Sequence, residues 1–339
     1  MSPCLLAAKG ETLSNGVYKM VVPEPVLEAP GLVEENKFSL AESFRDIIHF
    51  NIGNLNFSLD KRGSGISMKI PDCHVFFLAE PQPENRLILS VKTGTVEKKA
   101  EWNPVYSAPD MWELWVDETG RFVFLTPDIA PPKRCITVDR DFTSGEVIGN
   151  FNIIPAREGP EVYPLQNIEI TFFINWLANS NDLVLHAAGA LIDGKGYCFA
   201  GNSGRGKSTL AKALRAEPGC TILGEDNLIL RWLNGQFWIF GTPWHTNPEM
   251  CSPLGAPLSK FFFLDRQAEQ GIHHCSPVEG TSRLLQSAFI PYYRKEKVAG
   301  LVNRIGMLAE QVPFFLYHYK MGTDPWDTIR SNLGEEKLV

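Results

Sequence analysis

Apolar residues change their spacing once along this chain, and the change divides it. From about residue 36 to 160 they come in short runs broken by Gly, Pro, Asn and Asp, the pattern of a sheet with tight turns. Asp46–Ile52, His74-Val75-Phe76-Phe77-Leu78 and Arg86–Val91 are predicted strands. Trp112–Val116 and Arg121–Leu125 flank Asp117-Glu118-Thr119-Gly120, which predicts a hairpin. Residues 1–35 mix prolines with isolated charges and show no period, so an irregular leader is expected. Between Pro164 and Asn179 the spacing becomes helical: Leu165, Ile168, Phe172, Phe173, Trp176 and Leu177 share one face, where two domains are expected to meet.

Beyond that helix, runs alternate in the manner of an α/β domain. Strands are predicted at Leu183–Leu185, Tyr197–Ala200, Thr221–Leu223, Leu228–Trp232, Phe237–Phe240, Phe261–Leu264 and Phe314–Tyr317. Helices are predicted from Lys207, over Thr281–Ala288 and from Lys297 to Gln311. Asn234-Gly235 marks a hairpin turn.

A length of 339 residues allows two domains, and 44% hydrophobic against 21% charged residues is ordinary globular usage, which excludes disorder and fibres. Net charge is −7, so the chain repels phosphate overall and no nucleic-acid partner is expected; a phosphate ligand would need a local site. Seven scattered cysteines without a CxxC pair suggest neither a disulfide framework nor a zinc cage. The opening residues lack a basic n-region and no run is long enough to span a membrane, so a cytoplasmic protein without a membrane partner is expected.

Local chemistry is concentrated in Gly201-Asn202-Ser203-Gly204-Arg205-Gly206-Lys207-Ser208-Thr209, which satisfies the GxxxxGK[ST] phosphate-loop pattern. A buried-looking strand precedes it and an amphipathic helix follows. Glycines let backbone N–H groups converge on phosphates, the helix N-terminus adds partial positive charge, and Lys207 is suited to the β and γ oxygens. Ser208 would hold a metal ion. One strand later come Glu225 and Asp226, expected at the carboxyl edge of an open sheet. Two adjacent acids there can divide the work, Asp226 on magnesium and Glu225 on the attacking hydroxyl. A solvated acidic turn is the alternative.

These residues resemble the HPr kinase/phosphorylase family, whose catalytic domain shares its P-loop fold with ATP-dependent phosphoenolpyruvate carboxykinase. The likeness runs from Leu185-His186-Ala187-Ala188-Gly189-Ala190-Leu191 through the glycine loop to Ile222-Leu223-Gly224-Glu225-Asp226. It implies an α/β P-loop domain of that type over residues 161–339; the β-rich N-terminal domain over 36–160, read from its strand pattern and free of nucleotide motifs of its own, is expected to present the acceptor. It places His186 in the active site, with Lys207 and Glu225 as catalytic residues and Asp226 on the metal. The implied activity is transfer of a phosphoryl group from ATP, or another nucleoside triphosphate, with Mg2+, to a hydroxyl of a protein, a peptide or a small molecule. Assembly into a homo-oligomer is left open.

Three departures stand out. Glu225 replaces the family's usual aspartate, Phe240-Gly241-Thr242-Pro243-Trp244-His245 stands where a later arginine-and-glycine signature is absent, and the β-rich half is unlike that of true HPr kinases, which argues against HPr as the substrate. A nucleotide sensor or assembly module without transfer activity is the rival class; carboxykinase chemistry would need further metal ligands and arginines that the sequence does not present. Among remaining residues, Trp244 and His245 either wall a substrate site or belong to a rigid turn. Arg294 either neutralises phosphate or starts a solvated helix. His273-His274-Cys275 lacks a second ligand pair at metal spacing, and Trp112, Trp115 and Phe122 suit a β core or partner face.

Overall fold

A computed structural model describes residues 11–12, 18–19, 46–82, 86–127, 133–151, 162–202, 204–245, 247–266, 270–319 and 325–333. Within the leader, β1 (Glu11–Thr12) pairs with β2 (Tyr18–Lys19). The remainder of the chain divides into two compact units, Asn36–Asn179 and Ser180–Val339.

The first unit is built on one eight-stranded sheet. Its elements are β3 (Ile47–Ile52), β4 (Leu55–Asp60), α1 (Asp72–Val75), β5 (Arg86–Thr93), β6 (Asn103–Ala108), β7 (Trp112–Val116), β8 (Phe122–Leu125), β9 (Arg134–Val138), β10 (Ser144–Gly149) and α2 (Glu169–Leu177). The strand order is β3-β4-β5-β10-β9-β8-β7-β6, with β5 parallel to both β4 and β10 and every other pairing antiparallel. Turn chemistry explains the hairpins. Gly53 and Asn54 both take positive φ (61° and 60°) between β3 and β4, the conformation a two-residue loop demands. Asp117 accepts from the amides of Thr119 and Arg121 and so closes the turn between β7 and β8.

The apolar face seen in the 164–179 segment is buried within this same unit. Phe172 of α2 meets Phe124 and Phe142 at ring separations of 5.6 and 5.2 Å, and Phe173 meets Phe57 at 5.6 Å. The helix is therefore spent on its own sheet, and the division between units falls after Asn179. The expected strand at 74–78 is also absent: Pro71 and Asp72 open the short helix α1, and Leu78 makes only an isolated bridge to Phe50. Helical turning carries His74 to Glu169, a contact that outweighs the β propensity of Val75-Phe76-Phe77.

The second unit comprises β11 (Leu183–Ile192), β12 (Lys195–Ala200), α3 (Lys207–Arg215), β13 (Cys220–Gly224), β14 (Asn227–Leu233), β15 (Gln236–Phe240), β16 (Gly255–Arg266), β17 (Gly271–Cys275), α4 (Pro277–Ser287), α5 (Lys295–Gln311), β18 (Phe314–Tyr319) and α6 (Pro325–Leu333). It is a mixed α/β fold, but its sheet is not open. Strands β11 and β16 are long enough to change ladders along their length, so β11, β14, β15, β16 and β12 pair in a closed ring. The helix α3 lays Leu210, Ala211 and Leu214 on Phe199, Phe262, Leu264 and Tyr317, all buried. Each such leucine contributes about 1.5–3 kcal/mol by leaving water. Strand β12 reads as an unbroken apolar run because it is covered on both faces and paired on both edges, antiparallel to β11 and parallel to β16.

Candidate active site

Register across β11 assembles the site. Ala187 is opposite Ala200, the last residue of β12, so the glycine loop departs at that level. On its other edge β11 is lined by β13 and then β14, which run as one interrupted strand: Gly224 is opposite Gly189 and Asn227 opposite His186. Glu225 and Asp226 form the interruption, and the Ala187 amide donates to the Asp226 carbonyl at 3.0 Å. The acidic pair thus lies within a ladder rather than at the edge of an open sheet, because the apolar run resumes at Leu228 and is buried again. One residue of β11, His186, has the loop on one side and the acids on the other.

Its imidazole joins them. His186 Nδ1 is 3.0 Å from Asp226 Oδ1, and His186 Nε2 is 3.0 Å from Lys207 Nζ. An ammonium only donates and a carboxylate only accepts, so Nδ1–H donates to Asp226 while Nε2 accepts from Lys207. Lys207 Nζ also donates to the carbonyl of Gly201 at 2.7 Å, folding back over the start of its own loop. Asn227 Nδ2 donates to Asp226 Oδ2 at 2.9 Å, so both carboxylate oxygens are held. The bond from His186 is the main cause of an Asp226 pKa below the ordinary carboxylate value, against the penalty of partial burial. Burial lowers the Lys207 pKa, while the carboxylate of Asp226 opposes that shift.

The loop has the backbone shape that its glycines allow. Gly204 and Gly206 adopt positive φ (77° and 102°), and a Cβ on Gly201 would approach the Leu264 carbonyl to 3.1 Å. Gly206 is the N-cap of α3, which carries no acid in its first turn, so the positive end of the helix is not neutralised locally. Asn202, Ser208 and Thr209 are exposed; Ser203 lies outside the described residues. Arg205 pairs with Asp265 near the end of β16 at 2.9 Å. Glu225 is half-buried beside Asp226 and takes no part in the bonded chain from Asp226 to Gly201.

The other candidates disperse. Arg294 is buried at the start of α5, its Nε donating to Glu296 at 3.0 Å, so it does not begin a solvated helix. His273 packs its ring on His318 and His274 on Phe315, both within strand pairing. Phe122 is core, whereas Trp115 is half-buried under Lys98 and donates to Glu113. His245 lies against the acidic interruption, and Phe289 sets its ring edge-on to His186 at 6.5 Å. Sequence gave no signal for Asn227, Asp265 or the folded-back lysine, since each depends on register between distant strands.

No family model matches the chain, and no curated protein matches it. Among solved structures it is similar to the Hpr(Ser) kinase/phosphatase from Coxiella burnetii at 15% identity, covering 44% of this chain and 89% of that one with a TM-score of 0.25. A likeness of that size carries no argument about chemistry. No helix among the described residues is long and apolar enough to cross a membrane.

Proposed function

We propose that the chain is a magnesium- and nucleoside-triphosphate-dependent kinase that moves a phosphoryl group to a hydroxyl, with serine or threonine of a protein or peptide as the expected acceptor. The observation that carries this reading is the bonded chain Asp226–His186–Lys207–Gly201 at the mouth of a glycine loop that opens a helix. A lysine resting on a carbonyl and an imidazole can exchange both for phosphate oxygens. A helix start without a neutralising acid favours that anion.

In this mechanism the backbone amides from Asn202 to Lys207 hold the phosphates, and Lys207 turns from Gly201 and His186 to the β and γ oxygens. The acceptor oxygen attacks the γ-phosphorus, its proton passes to the Glu225 carboxylate, and the bond from phosphorus to the β–γ bridging oxygen breaks, releasing the diphosphate. His186 keeps Asp226 oriented through Nδ1–H as the lysine leaves. The exposed Ser208 hydroxyl and the Asp226 carboxylate, kept ionised by its low pKa, are oxygen donors suited to a hard cation. Mg2+ held there would neutralise charge on the phosphate oxygens.

The rival is a nucleotide-binding module without transfer, and the absence of Glu225 from the bonded chain favours it over the kinase in one respect, since nothing in that chain orients the base. Calorimetry of Mg2+ and ATP with the wild type and Lys207→Ala tests what both share: binding by the former and loss in the latter are expected, and equal affinity in a folded mutant overturns the phosphate site. Single-turnover transfer to Ser- and Thr-containing peptides then separates the two.

A further inference from the structure

The turn after β15 grips the acidic interruption from both flanks. A Cβ on Gly241 would lie 1.9 Å from the Ser252 carbonyl oxygen and 2.4 Å from that of Leu223, so only glycine permits this approach. The Ser252 amide donates to the same Leu223 carbonyl at 3.2 Å. Thr242, fully buried, donates its hydroxyl to the Asn227 carbonyl at 2.8 Å. On the near flank a Cβ on Gly224 would come within 2.7 Å of His245 Nε2. Leu223 and Gly224 precede the two acids, and Asn227 follows them. The turn therefore touches the residues on each side of Glu225-Asp226.

We propose that His245 is a positioning residue that sets the Glu225–Asp226 bend through its packing against Gly224, and so governs how the site takes its metal ion. The inference rests on the kinase reading. Thr242 has spent its one hydroxyl hydrogen on Asn227, so its oxygen can only accept from His245 Nε2, a long contact of 3.4 Å. Contact with the turn on one side and the bend on the other leaves the ring little room to rotate. Burial pushes the His245 pKa down to about 4, so the ring stands uncharged beside Asp226 and acts through shape and its N–H rather than as a countercharge.

The test titrates Mg2+ into wild type and variants in the presence of a fluorescent ATP analogue, with thermal unfolding followed in parallel. His245→Ala is expected to raise the Mg2+ concentration for half-maximal binding about 10-fold, the low end of what losing a residue that supports a metal ligand costs, with affinity at saturating Mg2+ within about twofold and unfolding little changed. His245→Gln, whose amide can take the place of Nε2–H, should restore most of the loss. Gly224→Ala should reproduce the shift, and Gly224→Ala combined with His245→Ala should be no worse than either alone, because the added methyl then meets no ring and keeps only a 3.1 Å approach to the Asn227 carbonyl oxygen. An unchanged Mg2+ midpoint in folded His245→Ala overturns the proposal, as does a loss of stability and nucleotide affinity without a change in that midpoint, which is the signature of a structural turn. Should the alanine variant not fold, the midpoint of His245→Gln against Gly224→Ala decides: equal values overturn the proposal. A wild type that binds no nucleotide overturns the kinase reading and this inference with it.

Discussion

Each unit of the molecule holds one histidine against one carboxylate, and the two pairs have opposite surroundings. In the first unit His74 Nε2 donates to Glu169 at 2.7 Å, Tyr163 donates to the other carboxylate oxygen at 2.6 Å, and the His74 and Glu169 side chains are only 8% and 5% exposed. In the second unit His186 and Asp226 are 3.0 Å apart with side chains 34% and 52% exposed. The trio is buried in the core. Burial and the neighbouring carboxylate hold the Tyr163 hydroxyl well above its ordinary pKa, so it stays a donor, and the three groups tie α1 to the start of α2. The open pair instead runs on to Lys207, itself buried, which also donates to the Gly201 carbonyl of the glycine loop. Both pairs join an imidazole to a carboxylate; what differs is that one carboxylate is sealed in the core while the other is half exposed, where a ligand can reach it.

Four substitutions would break or sharpen that contrast. The largest effect is expected at Glu225, where Glu225→Gln should keep nucleotide affinity and slow transfer by about 10²–10⁴-fold, the range for removing a general base. A parental rate in single-turnover assays would leave the kinase mechanism without its base. Next is Glu169→Ala, which strands His74 and the Tyr163 hydroxyl in the core and should cost about 3–5 kcal/mol of stability, as breaking buried pairs does, without altering nucleotide affinity measured below the unfolding range. Chemical denaturation checks it; a loss under 1 kcal/mol would mean that water or a rearranged partner replaces the carboxylate.

The counterpart, Asp226→Asn, should leave unfolding nearly unchanged, because the site is half open, yet raise the Mg2+ concentration that activity requires by about 10–100-fold. If the variant responds to Mg2+ as the wild type does, Asp226 is a positioning partner of His186 and not a metal ligand. The smallest effect belongs to the partly exposed pair beside the loop. Asp265→Asn frees Arg205 and should change triphosphate affinity by about twofold to fivefold, as expected when a surface ion pair worth up to about 1 kcal/mol is lost. Calorimetry showing a change above 10-fold would place Arg205 among the groups that meet the phosphates.

Elements that depend on a few consecutive residues were legible from the chain. Gly201–Lys207 stands between an apolar run and an amphipathic helix, and the structure has β12, loop and α3 in that order. All six apolar residues named in the 164–179 periodicity are buried, but only Phe172, Phe173, Trp176 and Leu177 lie on α2, with Leu165 and Ile168 in the turn before it, and Asn234-Gly235 became a hairpin turn with φ of 51° and 80°. What failed was local reading where a distant partner decides. Val75-Phe76-Phe77 has strand composition, yet the backbone turns because His74 has a carboxylate to reach 95 residues away. Strand β17, whose Gly-Ile-His-His-Cys has little strand signature, exists because β18 offers it an edge. Helix α6 was not anticipated either, though Ile329 is fully buried in the core under α3.

By itself, the sequence determined the parts: a glycine loop able to take positive φ, a lysine at the head of a helix, two adjacent acids, and a histidine upstream. Those properties reside in side-chain size, charge and local backbone freedom, which do not wait for the rest of the chain. Only the tertiary structure decided that they meet. His186 and Asp226 are brought to 3.0 Å because β13 and β14 continue along β11 in nearly one register, and a one-residue slip would turn His186 to the opposite face. That register is fixed by packing on both faces of a ring of five strands, closed by strands too long to stay in one ladder. Such closure depends on contacts between residues far apart in the chain, which no stretch of it specifies alone.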